Sequence, residues 1–248
     1  MKQFKLTTVM VIALLMGAML TSCLSSKEGD NKTTQNVMAL LSSDGTLTQY
    51  GGGTLVPINS VSMPSKPGIY SFGIEYDPNG WSGNKLNVTI TSSFVSLDNN
   101  NLVEGDSQGN INLYDLDYSG DMSPMMFNEN YILIPCIFWM ENVPDETGYD
   151  KELAKHTFTL QYPKDLHNSE GILELTLKDD VSDPELERDK TSYLYQAFNL
   201  QTVIAGFKAL NGSLNKIRIY GYTNHKSYDP AHNTTAKNYV DVDLTPFK

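Results

Sequence analysis

The chain has 248 residues and carries 29 acidic against 18 basic side chains, a formal net charge of −11. A surface of that sign repels phosphate backbones and anionic headgroups, which argues against nucleic acid as a partner. Two cysteines can make at most one disulfide, so the fold rests on its hydrophobic core, for which the length is ample.

The first element is a secretory signal. Lys2 and Lys5 precede an uncharged apolar run from Val9 to Leu20. That run falls short of the roughly 20 apolar residues that span a bilayer and has the length of a signal-peptide core. It ends in Leu20-Thr21-Ser22-Cys23, which is similar to the bacterial lipobox. In that motif the thiol takes up a diacylglycerol and the small residues admit the peptidase. The reading predicts a lipoprotein signal peptide over residues 1–22, cleavage between Ser22 and Cys23, and fatty acylation of Cys23. Each buried CH₂ of an acyl chain gains about 0.8 kcal/mol, and several chains hold a protein firmly where one would not. Cys23 is therefore read as a membrane handle.

Residues 23–36 are nearly all polar and are read as a flexible tether. Within it, Lys27-Glu28-Gly29-Asp30 is a short charged cluster of mixed sign. From Val37 the apolar period is two. Tyr70, Phe72, Ile74 and Tyr76 alternate with small or polar residues, as do Leu86, Val88 and Ile90. Such alternation marks antiparallel sheet with one buried face. Turn signals separate these runs at Ser43-Asp44-Gly45, Gly51-Gly52-Gly53, Pro64 to Gly68, Asp77 to Gly80 and Asn99 to Asn101. The pattern predicts a small barrel or sheet over residues 37–102.

A second β-rich block is predicted over residues 105–248, with strands at 111–118, 131–139, 156–162, 172–177, 193–200, 216–222 and 239–244. Short strands in that number fit an antiparallel two-sheet sandwich. Pro135 interrupts the most apolar strand, which predicts a bulge or an edge there. Leu200, Val203, Ile204, Phe207 and Leu210 follow helical spacing, and Asn211-Gly212 supplies the stop. Cys136 lies in the apolar run YILIPCIFWM and loses its only partner if Cys23 is acylated. It is read as a small buried hydrophobe, since a reactive thiol wants a base and an electropositive setting.

Taken together, the segments resemble the NigD-like lipoproteins of Gram-negative gut and mouth bacteria. LLSSDGTLTQYGGGTLVPIN and KPGIYSFGIEYDP are similar to the family's first hairpin and following strand. FNENYILIPCIFW, KHTFTLQYP, GILELTLKDD, YQAFNL and KIRIYGYT follow in the expected order. The resemblance implies an all-β chain, a small OB-fold barrel followed by an antiparallel β-sandwich after a lipoprotein signal peptide. It implies lipid anchoring in the outer membrane, facing the periplasm or the surface, and it implies no reaction. The chain departs from the family after GILELTL, where a His-Asn pair gives way to Lys178-Asp179-Asp180.

Few residues carry a chemical signature. His156 sits in phase with Phe158 and Leu160, as a base, a metal ligand or, the preferred reading, a sheet histidine satisfied locally. His225 and His232 flank Asp229 in a polar loop, either a metal pair or solvated residues. Asp115/Asp117 and Asp241/Asp243 are i, i+2 pairs that share a strand face, either a calcium or glycosidase pair or, more plainly, solvent faces. The G-x-S-x-G, H-E-x-x-H and Walker patterns are missing from the sequence. Tyr195, Tyr220, Tyr222, Tyr228 and Tyr239 crowd the last quarter, as strand formers or as rings that stack on sugars or proteins. The sequence thus predicts a non-catalytic, membrane-anchored binding module with no catalytic residue, cofactor or metal. Its expected partners are the membrane through Cys23 and a glycan or an envelope protein. A carbohydrate-binding surface lipoprotein is the alternative, and an envelope hydrolase the more distant one.

Overall fold

The computed structural model describes residues 32–117, 122–231, 233–242 and 244. The predicted signal peptide, Ser22, Cys23, His232 and Asp243 lie outside the described residues. The chain divides into two compact units, with the boundary between Leu97 and Asp98.

In the first unit, strands β1 (Thr33–Leu41), β2 (Leu47–Gln49), β3 (Thr54–Pro57), β4 (Gly68–Tyr76), β5 (Trp81–Ser82), β6 (Lys85–Ile90) and β7 (Val95–Ser96) form one sheet. It closes on itself in the order β1-β2-β3-β6-β4-β1. All these pairings are antiparallel except β3 with β6, which is parallel. This is the five-stranded topology expected of an OB barrel. Local chemistry directs it: Gly45 takes φ 82° in the first hairpin, and Asp44 Oδ1 accepts from the Thr46 N–H at 3.0 Å. Leu41, Leu47, Leu55, Phe72, Ile74, Leu86 and Val88 fill the interior, each worth about 1.5–3 kcal/mol on burial.

β1 begins at Thr33, inside the span read as tether. Thr33 to Asn36 pair with Tyr76 to Gly73 of β4, yet their side chains are exposed. A backbone ladder without a buried face leaves no apolar period to read.

The second unit contains β8 (Leu102–Glu104), β9 (Leu113–Asp115), β10 (Met125–Met126), β11 (Tyr131–Met140), α1 (Glu146–Leu153), β12 (His156–Tyr162), β13 (Ile172–Val181), β14 (Lys190–Asn199), α2 (Gln201–Asn211), β15 (Lys216–Thr223) and β16 (Ala236–Val242). One layer runs β16-β15-β13-β12-β8, and the other pairs β14 with β11. β9 bonds to both β11 and β15, so the layers are one curled sheet rather than two separate ones. The pairing is not wholly antiparallel: β8 with β12, β13 with β15 and β9 with β15 run parallel. The β13–β15 pair is parallel because β14 and α2 intervene as a crossover. Between the layers lie Ile134, Cys136 and Phe138 of β11, with Phe158, Leu160, Leu175, Leu177, Ile217 and Ile219 opposite.

The domain boundary shifts from the expected 102/105 to 97/98 for a clear reason. The Asn99 and Asn101 amides donate to the Phe158 carbonyl, the Leu160 N–H donates to Asn101, and β8 pairs with β12. Asparagines that read as a turn are here edge partners of the second sheet. Pro135 stays in register opposite Tyr195, and the bulge falls at Ile137/Phe138 against β9. β9 is shorter than predicted because Asp115 Oδ1 accepts from the Leu116 N–H at 2.7 Å and turns the chain. α2 stops at Gly212, φ 77°, as expected. α1 was not predicted. Asp145 caps it through the Gly148 N–H at 2.7 Å, and its buried residue is the charged Glu152.

Candidate functional site

β13 reads ILELTLKDDV, and its alternation buries Leu173, Leu175, Leu177, Asp179 and Val181 together. An acid therefore stands in core phase. Asp179 Oδ2 meets His156 Nδ1 at 2.7 Å, and both side chains are wholly buried. Phe138 and Phe158 pack on the imidazole with ring centroids at 4.6 and 5.9 Å. On its other side His156 Nε2 lies 3.5 Å from Glu152 Oε1, one helical turn earlier at the end of α1. That separation is not a hydrogen bond, and Nε2 has no hydrogen-bond partner among the described residues. Burial raises Asp179 above the usual carboxylate range, with His156 opposing the shift.

Arg188 seals the network from the loop before β14. Its Nε donates to Glu152 Oε1 at 2.8 Å and its Nη2 to Asp183 Oδ1 at 2.5 Å. Nη1 donates to the Asp183 and Leu186 carbonyls at 3.0 and 3.2 Å and to Tyr228 Oη at 3.3 Å. Tyr228 in turn donates to the Pro184 carbonyl. Lys155 Nζ lies 2.6, 2.9 and 3.0 Å from Glu141, Glu152 and Asp183. Its contact to Glu152 Oε2 is an ion pair outside hydrogen-bond alignment. Burial pushes Glu152 and Asp183 up, but Lys155 and Arg188 outweigh it and hold both below their ordinary value. Gly109 presses on the Asp179 backbone where no Cβ would fit, and Asn110 bonds on either side to Asp180 and Val181.

A His–Asp pair at this distance is the geometry that orients a general base. Here His156 reaches no solvent through its side chain. The hollow above the start of β12, lined by Asn99, Asn100, Asn101, Thr157, Leu194 and Gln196, meets only its backbone. Cys136 belongs to the same core, and burial reinforced by the Asp179 charge pushes its thiol well up, away from a nucleophilic thiolate. What the cluster does physically is tie α1, β12, β13 and the loop carrying Arg188 to one another.

The remaining sequence candidates separate. His225 is exposed in its loop, and its proposed partner His232 is outside the described residues. Asp115 caps backbone while Asp117 accepts from Ser123 Oγ at 2.7 Å, so the two do not act as a pair. Asp241 takes Arg218 Nε and Nη2 at 2.7 and 3.0 Å and Lys216 Nζ at 2.8 Å. These contacts pull it down to about 2, Arg218 first. Among the described residues no group of three metal-ligating side chains assembles. Of the tyrosines, Tyr195 is buried, its hydroxyl has no partner among the described residues, and burial raises it to about 12. Tyr228 serves the Arg188 network. Tyr220 and Tyr239 meet on the outer sheet face at 5.7 Å, but Lys237 and Arg218 already stack on them at 4.6 and 4.2 Å.

Glu152 and Arg188 were not singled out from sequence, and Asp179 was marked there only as a departure from the family's His-Asn pair. The phase of Asp179 was a legible signal for one of them. Nothing local marks Arg188, whose partner Glu152 is 36 positions away.

No family model and no curated protein matches the sequence. Solved structures do. A candidate lipoprotein from Bacteroides fragilis is 21% identical with a TM-score of 0.74, over 85% of this chain and 98% of that one. An uncharacterized protein from Parabacteroides merdae is 12% identical with a TM-score of 0.52, over 85% and 96%. A NigD-like immunity protein from Bacteroides caccae is 15% identical with a TM-score of 0.48, over 83% and 91%. The likeness to the Bacteroides fragilis protein spans both units and is one of fold: this chain shares the architecture of that candidate lipoprotein.

Proposed function

We propose that this protein is a lipid-anchored, non-catalytic binding protein of the outer membrane, held through Cys23 and facing the periplasm or the surface. One contrast carries the reading. The groups best suited to acid–base chemistry, His156 and Asp179, are wholly buried and spent on each other, whereas Trp81 is exposed at 41%. Sealed acids and bases stabilise a scaffold, and exposed aromatic rings recognise ligands. The lipobox supports the anchor, and likeness of fold to a candidate lipoprotein agrees with it.

The test sets binding against turnover. Full-length protein in detergent is incubated with envelope polysaccharides and with envelope proteins, and both bound and released material are measured. Saturable binding without product is the expected result. Product formation that His156→Leu abolishes in a folded protein would replace the binding reading with a catalytic one.

The carbohydrate reading is favoured within this proposal by the chemistry around Trp81.

A further inference from the structure

Trp81 opens the short β5–β6 hairpin, paired with Leu86. Its six-membered ring lies against Gly53 in the turn between β2 and β3. A Cβ on Gly53 would sit 2.6 Å from Trp81 Cη2 and 2.9 Å from Cζ3, so this position needs glycine for the ring to lie flat. The turn itself is built by Gly51 and Gly52 at φ 87° and 95°, with the Gln49 N–H donating to the Gly53 carbonyl at 2.8 Å. The two hairpins are stitched by the Thr54 N–H to the Asn84 carbonyl at 2.7 Å. The indole is thus held on one side by backbone while 41% of the residue remains exposed.

The surroundings have a distinct chemistry. No charged residue occurs from Gly45 to Ser65 or from Pro78 to Asn84, the two segments that meet here, in a chain that is 19% charged. Among the described residues no ring or cation stacks on Trp81, and its indole N–H and the Gln49 and Asn84 amides make no hydrogen bond. Gln49 Nε2 lies beside the ring, 2.9 Å from the same Gly53 Cβ position. Tyr50, 46% exposed, stands next to Gln49 in the turn. An apolar disc ringed by uncommitted amide donors and acceptors, with Lys85 at the edge of the hairpin and no carboxylate in either segment, matches one kind of ligand. A pyranose offers C–H groups on one face and hydroxyls at its edge, and carries no charge. A lipid would leave the amides unpaired, and a nucleic acid would meet a protein of net charge −11 with Lys85 as the one cation of this hairpin.

We infer that Trp81, with Gln49, Tyr50 and Asn84, forms a binding platform for a neutral sugar of an envelope glycan. The inference rests on the binding reading above and names its ligand class and place. The indole supplies the stacking surface, Gly53 sets its tilt, and the amides bond the ring hydroxyls.

The experiment titrates full-length protein in detergent with neutral gluco-, manno- and galacto-oligosaccharides. A uronic-acid oligosaccharide and a single-stranded DNA serve as controls. Trp139 is buried and bonded to the Asn224 carbonyl, so oxidation of the native protein by N-bromosuccinimide reports on Trp81. At least one neutral oligosaccharide should bind and protect Trp81 from oxidation. Trp81→Ala should weaken that binding by roughly tenfold or more, and Trp81→Phe by less. Should Trp81→Ala fail to fold, protection of the wild-type indole decides the matter. Binding that neither protects Trp81 nor changes in a folded Trp81→Ala variant overturns this site while leaving the binding reading intact. Failure of every neutral oligosaccharide to bind, or preference for DNA or the uronic acid, overturns the ligand class.

Discussion

His156 Nδ1 and Asp179 Oδ2 stand 2.7 Å apart with neither side chain exposed. Each depends on the other for its desolvation to be tolerable. His156→Leu strands a buried carboxylate, and Asp179→Leu strands a buried imidazole N–H. Each single change should lower stability by about 3 kcal/mol. The double leucine variant should lose less than the sum, since both polar groups leave together. Urea unfolding of the four proteins measures the coupling, and strict additivity would refute a paired role.

Arg188 is 1% exposed and joins Glu152 and Asp183 to the loop carbonyls. Arg188→Met keeps the length but leaves Glu152 buried without its guanidinium, at an expected cost of about 3–5 kcal/mol. Arg188→Lys should rescue little, because one ammonium cannot replace a planar fork directed at two carboxylates. Denaturant midpoints for both variants test this, and full rescue by lysine would reduce Arg188 to a point charge.

Cys136 is fully buried, and its thiol is pushed well above its ordinary value by burial, with the Asp179 charge adding. A thiol reagent should label the native protein slowly and the unfolded protein fast. Cys136→Ser should destabilise by roughly 1–3 kcal/mol, because a hydroxyl replaces an apolar sulfur whose one polar contact, to the Ile134 carbonyl, spans 3.9 Å. Rapid labelling of folded protein would mean that this core opens.

Asp241 is drawn from 3.8 to about 2 by Arg218 and Lys216. A depressed carboxyl stabilises the fold above its unfolded value and loses that contribution as pH falls through the folded one. Wild type should therefore be more stable than Asp241→Asn above pH 4, and the gap should close between pH 4 and pH 2. The contacts are partly exposed, so salt should shrink the gap as well. A gap independent of pH would show that Asp241 acts by shape alone.

Cys23→Ser should abolish anchoring. Labelled palmitate is expected to enter the wild type and to miss the variant, which should move to the soluble fraction. Equal labelling of the two would place the lipid elsewhere.

Alternation and turn chemistry are local, and the sequence by itself determined what depends on them. The polarity period places β4, β6, β12 and β15 within a residue or two of their predicted bounds. Asp44-Gly45 forms the first hairpin, and the spacing of Val203, Ile204 and Phe207 with Gly212 specifies α2. Polar segments that gain only backbone partners were invisible, as at Thr33 to Asn36 and Asn99 to Asn101, because no side chain there is buried to leave a period. α1 escaped notice for a related reason: the residue it buries is Glu152, which only a structure can pair with Arg188. The curl of the second sheet through β9, where Thr223 meets Leu113, and the meeting of Trp81 with Gly53 join residues 110 and 28 positions apart. Contacts of that kind were decided by the tertiary structure alone, since the burial of a charge or the footing of an exposed ring depends on chain that arrives from elsewhere.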